Sequence, residues 1–209
     1  MIEIHPEQFT KIVIGVDPAI TSGEDADETG IIVVASGPHQ PSTCVIPSCT
    51  AHGYVLQDAT PPKSNKNSID RWVKVVVDLY DEWNANIIVV ENNAGRELLE
   101  MALRTVRSDL PIHRPNAIEN KKARAEPIVA LYEQGRIHHV GDPLQFAELE
   151  EQMTTWVPKE GSGRGSKSPD RVDALVWALA ELNLQGKKPK QGVSAIAPIG
   201  LMQNNVWSI

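Results

Sequence analysis

The 209 residues, 41% hydrophobic and 22% charged, suffice for one sizeable α/β domain and exclude a chain disordered throughout. No apolar run approaches the ~18 residues of a membrane span, and the opening MIEIHPEQFTKIVIG lacks the basic segment and apolar stretch of a signal peptide, so a cytosolic setting away from membranes is expected. The formal net charge of −7 argues against gripping nucleic acid by a broad basic face, yet it suits a protein that gathers carboxylates around metal ions.

Residues 11–17 (KIVIGVD) form an apolar run ending in an acid, the pattern of a buried strand that delivers a side chain at its end. A polar acidic loop leads to GIIVVAS (30–36), and β-prone stretches follow around 43–46 and 54–57, so the chain opens as a β-meander. Between Ser68 and Trp83 the apolar residues Ile69, Trp72, Val73, Val76, Tyr80 and Trp83 recur at helical spacing, which predicts a crossover helix. NIIVVE (86–91) is a second β-branched run ending in an acid, and a helical stretch, AGRELLEMALRTV, follows it. Strand, helix, strand, helix implies parallel pairing.

The alternation continues through PIHRP (111–115), a helix in KKARAEPIVALYEQG, the strand-like RIHHV and a helix from about Pro143 to Met153. Residues 158–168 (PKEGSGRGSKS) read as a Gly-rich basic loop. Ser168 then suits an N-cap and Pro169 the first helical position, after which Val172, Leu175, Val176, Leu179 and Leu182 mark a buried stripe. The domain is expected over 11–185, with an N-terminal extension at 1–10 and a tail at 186–209.

Asp17 and Glu91 both end apolar parallel strands, and the carboxyl ends of such strands are where open α/β sheets place ligands. Asp170 and Asp173, three residues apart in the first turn of a helix, share one face. Asp173 sits among Ala174, Leu175, Val176 and Trp177, where an unpaired charge is costly to bury. Hard oxygen ligands of this kind suit Mg²⁺ or Mn²⁺, and two such ions support phosphodiester hydrolysis. Cys44, Cys49 and His52 lack a fourth ligand at suitable spacing and read as reduced cysteines in or beside a strand. His113, His138 and His139 lie on strand-like segments and read as structural.

The order GVDPA (15–19), IIVVEN (87–92) and SPDRVDALVWAL (168–179) resembles the nuclease domain of tailed-phage terminase large subunits, an RNase H-like fold, and is similar also to RuvC-type Holliday-junction resolvases. The resemblance spans residues 11–184, and SPDRVDALVWAL is its most specific part. The stretch NKKARAEPIVALYEQGRI (120–137) favours terminase. The resemblance implies a mixed central sheet, an antiparallel meander followed by parallel strands, flanked by helices. It implies metal ligation by Asp17, Glu91 and Asp173, assisted by Asp170, around two Mg²⁺ or Mn²⁺ ions. It further implies an endonuclease that cuts double-stranded DNA with low sequence specificity during viral genome packaging, in the cytoplasm of an infected bacterial host. Its partners would be an ATPase motor domain, the portal and the small terminase subunit.

Lys121, Lys122, Arg124, Arg164 and Lys167 are the candidate phosphate contacts. No GxxxxGK[ST] motif is present: GSGRGSKS (161–168) has Ser166 where the second glycine belongs, so no ATP hydrolysis is expected from these residues. The competing expectations are a junction resolvase and an inactive RNase H-like docking module.

Overall fold

A computed structural model describes residues 6–18, 28–46, 49–62, 69–91, 96–115, 120–156 and 169–184. Among these residues the strands are β1 (Lys11–Asp17), β2 (Gly30–Pro38), β3 (Ala51–Asp58), β4 (Ile87–Val90), β5 (Ile112–His113) and β6 (Ile137–His139). The helices are α1 (Ile69–Glu82), α2 (Arg96–Val106), α3 (Lys121–Glu133), α4 (Ala147–Thr155) and α5 (Asp170–Leu182). The strands form one sheet in the order β5-β4-β1-β2-β3-β6. β1, β2 and β3 make an antiparallel meander, while β4 runs parallel to β1, β5 parallel to β4, and β6 parallel to β3. This is the mixed sheet expected of an RNase H-like fold.

Alternation along the strands divides the core. Val13, Ile32, Val34, Val55 and Val89 face one side, where α3, α4 and α5 pack. Ile14, Val16, Ile31, Val33, Ile88 and Val90 face the other, under α1 and α2. With side chains on opposite faces at successive positions, a strand covered on both sides is apolar throughout, which is why these segments read as unbroken Val/Ile runs.

Helix α3 is capped by Asn120, whose side chain accepts from the Ala123 N–H at 2.9 Å, and it carries Pro127 in its interior. Beyond Pro127, Ile128 and Leu131 are buried in the core.

Three local expectations are corrected. Residues 43–46 form no strand; the N–H groups of Thr43 and Cys44 turn back onto the Gln40 carbonyl. The helix expected from Pro143 splits into a 3-10 turn, Pro143–Phe146, capped by the Asp142 side chain, and then α4. Pro169 occupies the cap position of α5 rather than its first turn, in an extended conformation with no side-chain cap bond. Ser168 lies outside the described residues.

Candidate active site

Strand parity aims the acids. Val13, Gly15 and Asp17 alternate onto the α5 side of β1, and Val89 and Glu91 do the same on β4. The β1–β4 register pairs Val16 with Val90, and the Glu91 N–H extends it by donating to the Val16 carbonyl at 3.4 Å. Asp17 and Glu91 therefore leave neighbouring strand ends on the same face, toward the first turn of α5. One carboxylate oxygen from each of Asp17, Glu91 and Asp173 lies within 4.8 Å of the others. All three residues are buried, at 7%, 2% and 4% exposure. Asp170 is half-buried at the start of α5, and its charge acts on Asp17.

Crowding sets the electrostatics. Burial, and then the charges of Asp173, Glu91 and Asp170, push the Asp17 carboxyl up to about 8, against a smaller opposing effect of Lys121. A carboxyl so placed holds its proton until a cation arrives. The first turn of α3 supplies two cations from the protein itself. The Lys121 ammonium pairs with the Asp173 carboxylate. Arg124 Nη1 lies 3.6 Å from Glu91 Oε1, and its guanidinium stacks 4.3 Å from the Trp177 ring centroid. Both residues were expected as phosphate contacts. Lys121 remains partly exposed, but the Arg124 side chain is only 11% exposed and turned inward. Lys122 is half-buried, and Arg164 and Lys167 lie outside the described residues.

What brings Asp173 to the strand ends is a close helix–sheet approach. A Cβ on Gly15 would lie 2.2 Å from the Ala174 carbonyl oxygen, and one on Gly30 would lie 2.1 Å from that of Asp170. Only glycine leaves room for α5 at these two positions. The helix is then tied down by Arg171, which the sequence reading missed. Its guanidinium, 4% exposed, donates to Asp58 Oδ2 at 3.0 Å and pairs with the carboxylates of Glu28 and Glu148. The sequence signal was an arginine interrupting a helix segment that is otherwise buried.

Of the histidines, His113 contacts Glu181, His139 contacts Glu150 and Tyr132, and His138 contacts His52; none joins the carboxylates. The reading of Cys44, Cys49 and His52 needs correction. The fourth group missing from the sequence spacing is His39, whose Nδ1 lies 2.9 Å from Cys49 Sγ. The fold joins all four into a second cluster.

An all-oxygen donor set in which one carboxyl is held protonated by burial and by its neighbours fits a hard divalent cation, which would relieve the repulsion among them. Among solved structures, the chain resembles the large terminase nuclease from thermophilic phage G20c, at 13% identity and TM-score 0.54, over 82% of each chain. It also resembles a K428A mutant nuclease domain of the large terminase subunit gp2 of bacterial virus Sf6, with manganese and beta-thujaplicinol. There the identity is 15% and the TM-score 0.56, over 82% of this chain and 89% of that one. A second structure of the Sf6 domain matches at 14% identity and TM-score 0.52, over 82% and 88%. No curated protein matches the chain. At these identities the solved structures speak for the fold. The sequence profile of the terminase RNaseH-like domain, however, matches residues 14–182, a span that includes all four acids, and the chain belongs to that family.

Proposed function

We propose that this domain is a divalent-metal-dependent endonuclease that cuts double-stranded DNA, with low sequence specificity, during viral genome packaging. The observation that carries the reading is the convergence of the buried Asp17, Glu91 and Asp173 carboxylates at adjoining strand ends. Asp17, Glu91 and Asp173, with Asp170 beside them, would hold Mg²⁺ or Mn²⁺, as one ion or a pair; manganese in the Sf6 structure supports that choice. When bound, such ions supply the charge that activates a water and stabilises the leaving oxygen of a phosphodiester.

The chain's own residues do the rest. Glu91 has the Arg124 guanidinium beside it, itself stacked on Trp177, so a fixed positive charge faces that carboxylate. Lys121 balances Asp173 and is the cation of α3 best placed to meet a phosphate at the cluster. No imidazole stands among the three acids, so proton transfer by a histidine base has no candidate among the described residues. Lys122, and Arg164 and Lys167 of the Gly-rich loop, are proposed as backbone contacts that read no bases. The packaging reading brings an ATPase motor, the portal and the small terminase subunit as partners, in the host cytoplasm.

Cleavage of supercoiled plasmid tests the reading. Nicking or linearisation should require Mg²⁺ or Mn²⁺, and D17N, E91Q and D173N should each nearly abolish it while remaining folded. Cutting undiminished in EDTA would overturn it. Preferential cutting of four-way junctions over linear duplex would replace it with a resolvase.

A further inference from the structure

The connection between β2 and β3 runs through residues 39–50, of which 39–46 and 49–50 are described. None of its described residues belongs to either hydrophobic core, and Val45 is 67% exposed. Its backbone touches the rest of the domain through the Val45 N–H on the Gln134 carbonyl, and Thr43 Oγ1 donates to the Gly135 carbonyl. Yet the connection and the start of β3 bring together both of the chain's cysteines and two of its six histidines.

The donors form one compact set. Cys49 Sγ lies 2.9 Å from His39 Nδ1, 3.0 Å from Cys44 Sγ and 3.3 Å from His52 Nε2. One ligand atom from each of the four residues lies within 4.8 Å of all the others. A tetrahedral ion with sulfur at ~2.3 Å and nitrogen at ~2.0 Å spaces its ligands by roughly 3.3–3.8 Å. The spacing along the chain is also that of a metal clip, four residues lying between His39 and Cys44, four between Cys44 and Cys49, and two between Cys49 and His52.

The surroundings complete the pattern. The His52 ring presents Nε2 to the cluster, while its Nδ1 is 2.7 Å from His138 Nε2 on β6, which fixes the ring from behind as partners of metal-bound imidazoles do. The Ile46 N–H donates to Cys44 Sγ at 3.4 Å, a contact that favours a thiolate. The buried Arg136 lies close enough for its charge to act on both Cys49 and His52, offsetting the negative charge of two thiolates.

We propose that His39, Cys44, Cys49 and His52 bind a structural zinc ion that clips the β2–β3 connection onto the start of β3. Two sulfur and two nitrogen donors suit zinc, not the hard cations of the carboxylate cluster. The site also lies far from that cluster. Gly30, opposite Asp17, and His39 stand at opposite ends of β2, nine residues and roughly 30 Å apart. The zinc site therefore stands or falls independently of nuclease activity.

The test uses the full chain, purified under reducing conditions without added chelator. Elemental analysis should find about one zinc per chain. Cobalt(II) added to metal-free, reduced protein should give the intense near-ultraviolet thiolate-to-metal band and the visible bands of a tetrahedral site. C49S and H39N should lower bound zinc at least tenfold, H39N being the milder change for folding, whereas D17N should keep it. The cobalt spectrum of the unmodified chain decides the matter even if a variant misfolds. Absence of a thiolate band in the reduced chain overturns the proposal, as does zinc retained at full stoichiometry in well-folded C49S. A Cys44–Cys49 disulfide that leaves no metal binding after reduction does so as well.

Discussion

Asp17 lies directly opposite Gly30 in the β1–β2 ladder, and the space a side chain would fill at Gly30 is taken by the backbone of Asp170. The residue facing Asp17 is thus the one that admits the helix bearing Asp170 and Asp173. Gly30→Ala should push the start of α5 off the sheet. Because the obstacle is backbone, the strain has no flexible side chain to absorb it, and a loss of about 1–3 kcal/mol is expected. Urea denaturation measures the cost, and plasmid cleavage should fall more steeply than stability does. A variant with full activity would show that α5 docks without this contact.

The Asp17 carboxyl gives the metal-free protein a defined pH dependence. Its ordinary value of 3.8 in the unfolded chain rises to about 8 in the fold, through burial and then the charges of Asp173, Glu91 and Asp170. Between these values the folded state binds more protons than the unfolded one. Stability of the metal-free domain should therefore fall as pH rises from about 4 to about 8, by an amount on the order of a few kcal/mol. Asp17→Asn should flatten that slope and raise the melting temperature at neutral pH. Manganese binding should release a proton, visible by calorimetry in buffers of different ionisation enthalpy. A slope unchanged in the variant would assign the titration to another group.

Arg171 joins three carboxylates of unequal exposure. Asp58 and Glu28 are buried beside it, whereas the Glu148 side chain is 68% exposed. Arg171→Met should leave two buried acids without their cation and cost roughly 3–5 kcal/mol. Glu148→Gln should cost less than about 1 kcal/mol. Chemical denaturation of the two variants gives the contrast, and equal losses would mean that the outer pair carries the anchor.

Lys121 pairs with Asp173 where a divalent ion would sit. Lys121→Met should remove a competitor and lower the manganese concentration needed for half-saturation, while weakening DNA binding alike for every sequence. It should also lower the slope of log affinity against log salt by up to ~0.9. Manganese affinity that drops in this variant would make Lys121 a support of the acids rather than their rival.

How much of this was legible follows from the range of each interaction. Asp17 and Glu91 showed themselves because a strand buried on both faces must be apolar until its end, so an acid there stands out. Asp173 showed itself by interrupting a helical stripe. Arg171 did not, because its partners Glu28 and Asp58 lie 143 and 113 residues away, and nothing local marks them. His39 stands at metal-clip spacing from Cys44, but it leaves the end of β2, and only the turn closed by the Gln40 carbonyl brings its ring back beside Cys49. Lys121 and Arg124 were legible as cations but not in direction. They look like a solvated helix start in sequence, and it is the acids gathered on the same side of the sheet that make an inward orientation favourable.

Pro127 has a consequence for how α3 moves. Without an N–H it cannot close the bond to the Ala123 carbonyl, so the helix loses a rung between the turn bearing Lys121 and Arg124 and the segment seated by Ile128 and Leu131. The cationic turn is therefore joined to that segment by one bond fewer, and it keeps its own hold on the core through Ala125 and through Arg124 on Trp177. The missing rung makes this the joint of α3 that opens first, and amides next to Pro127 should exchange with solvent sooner than those near Leu131.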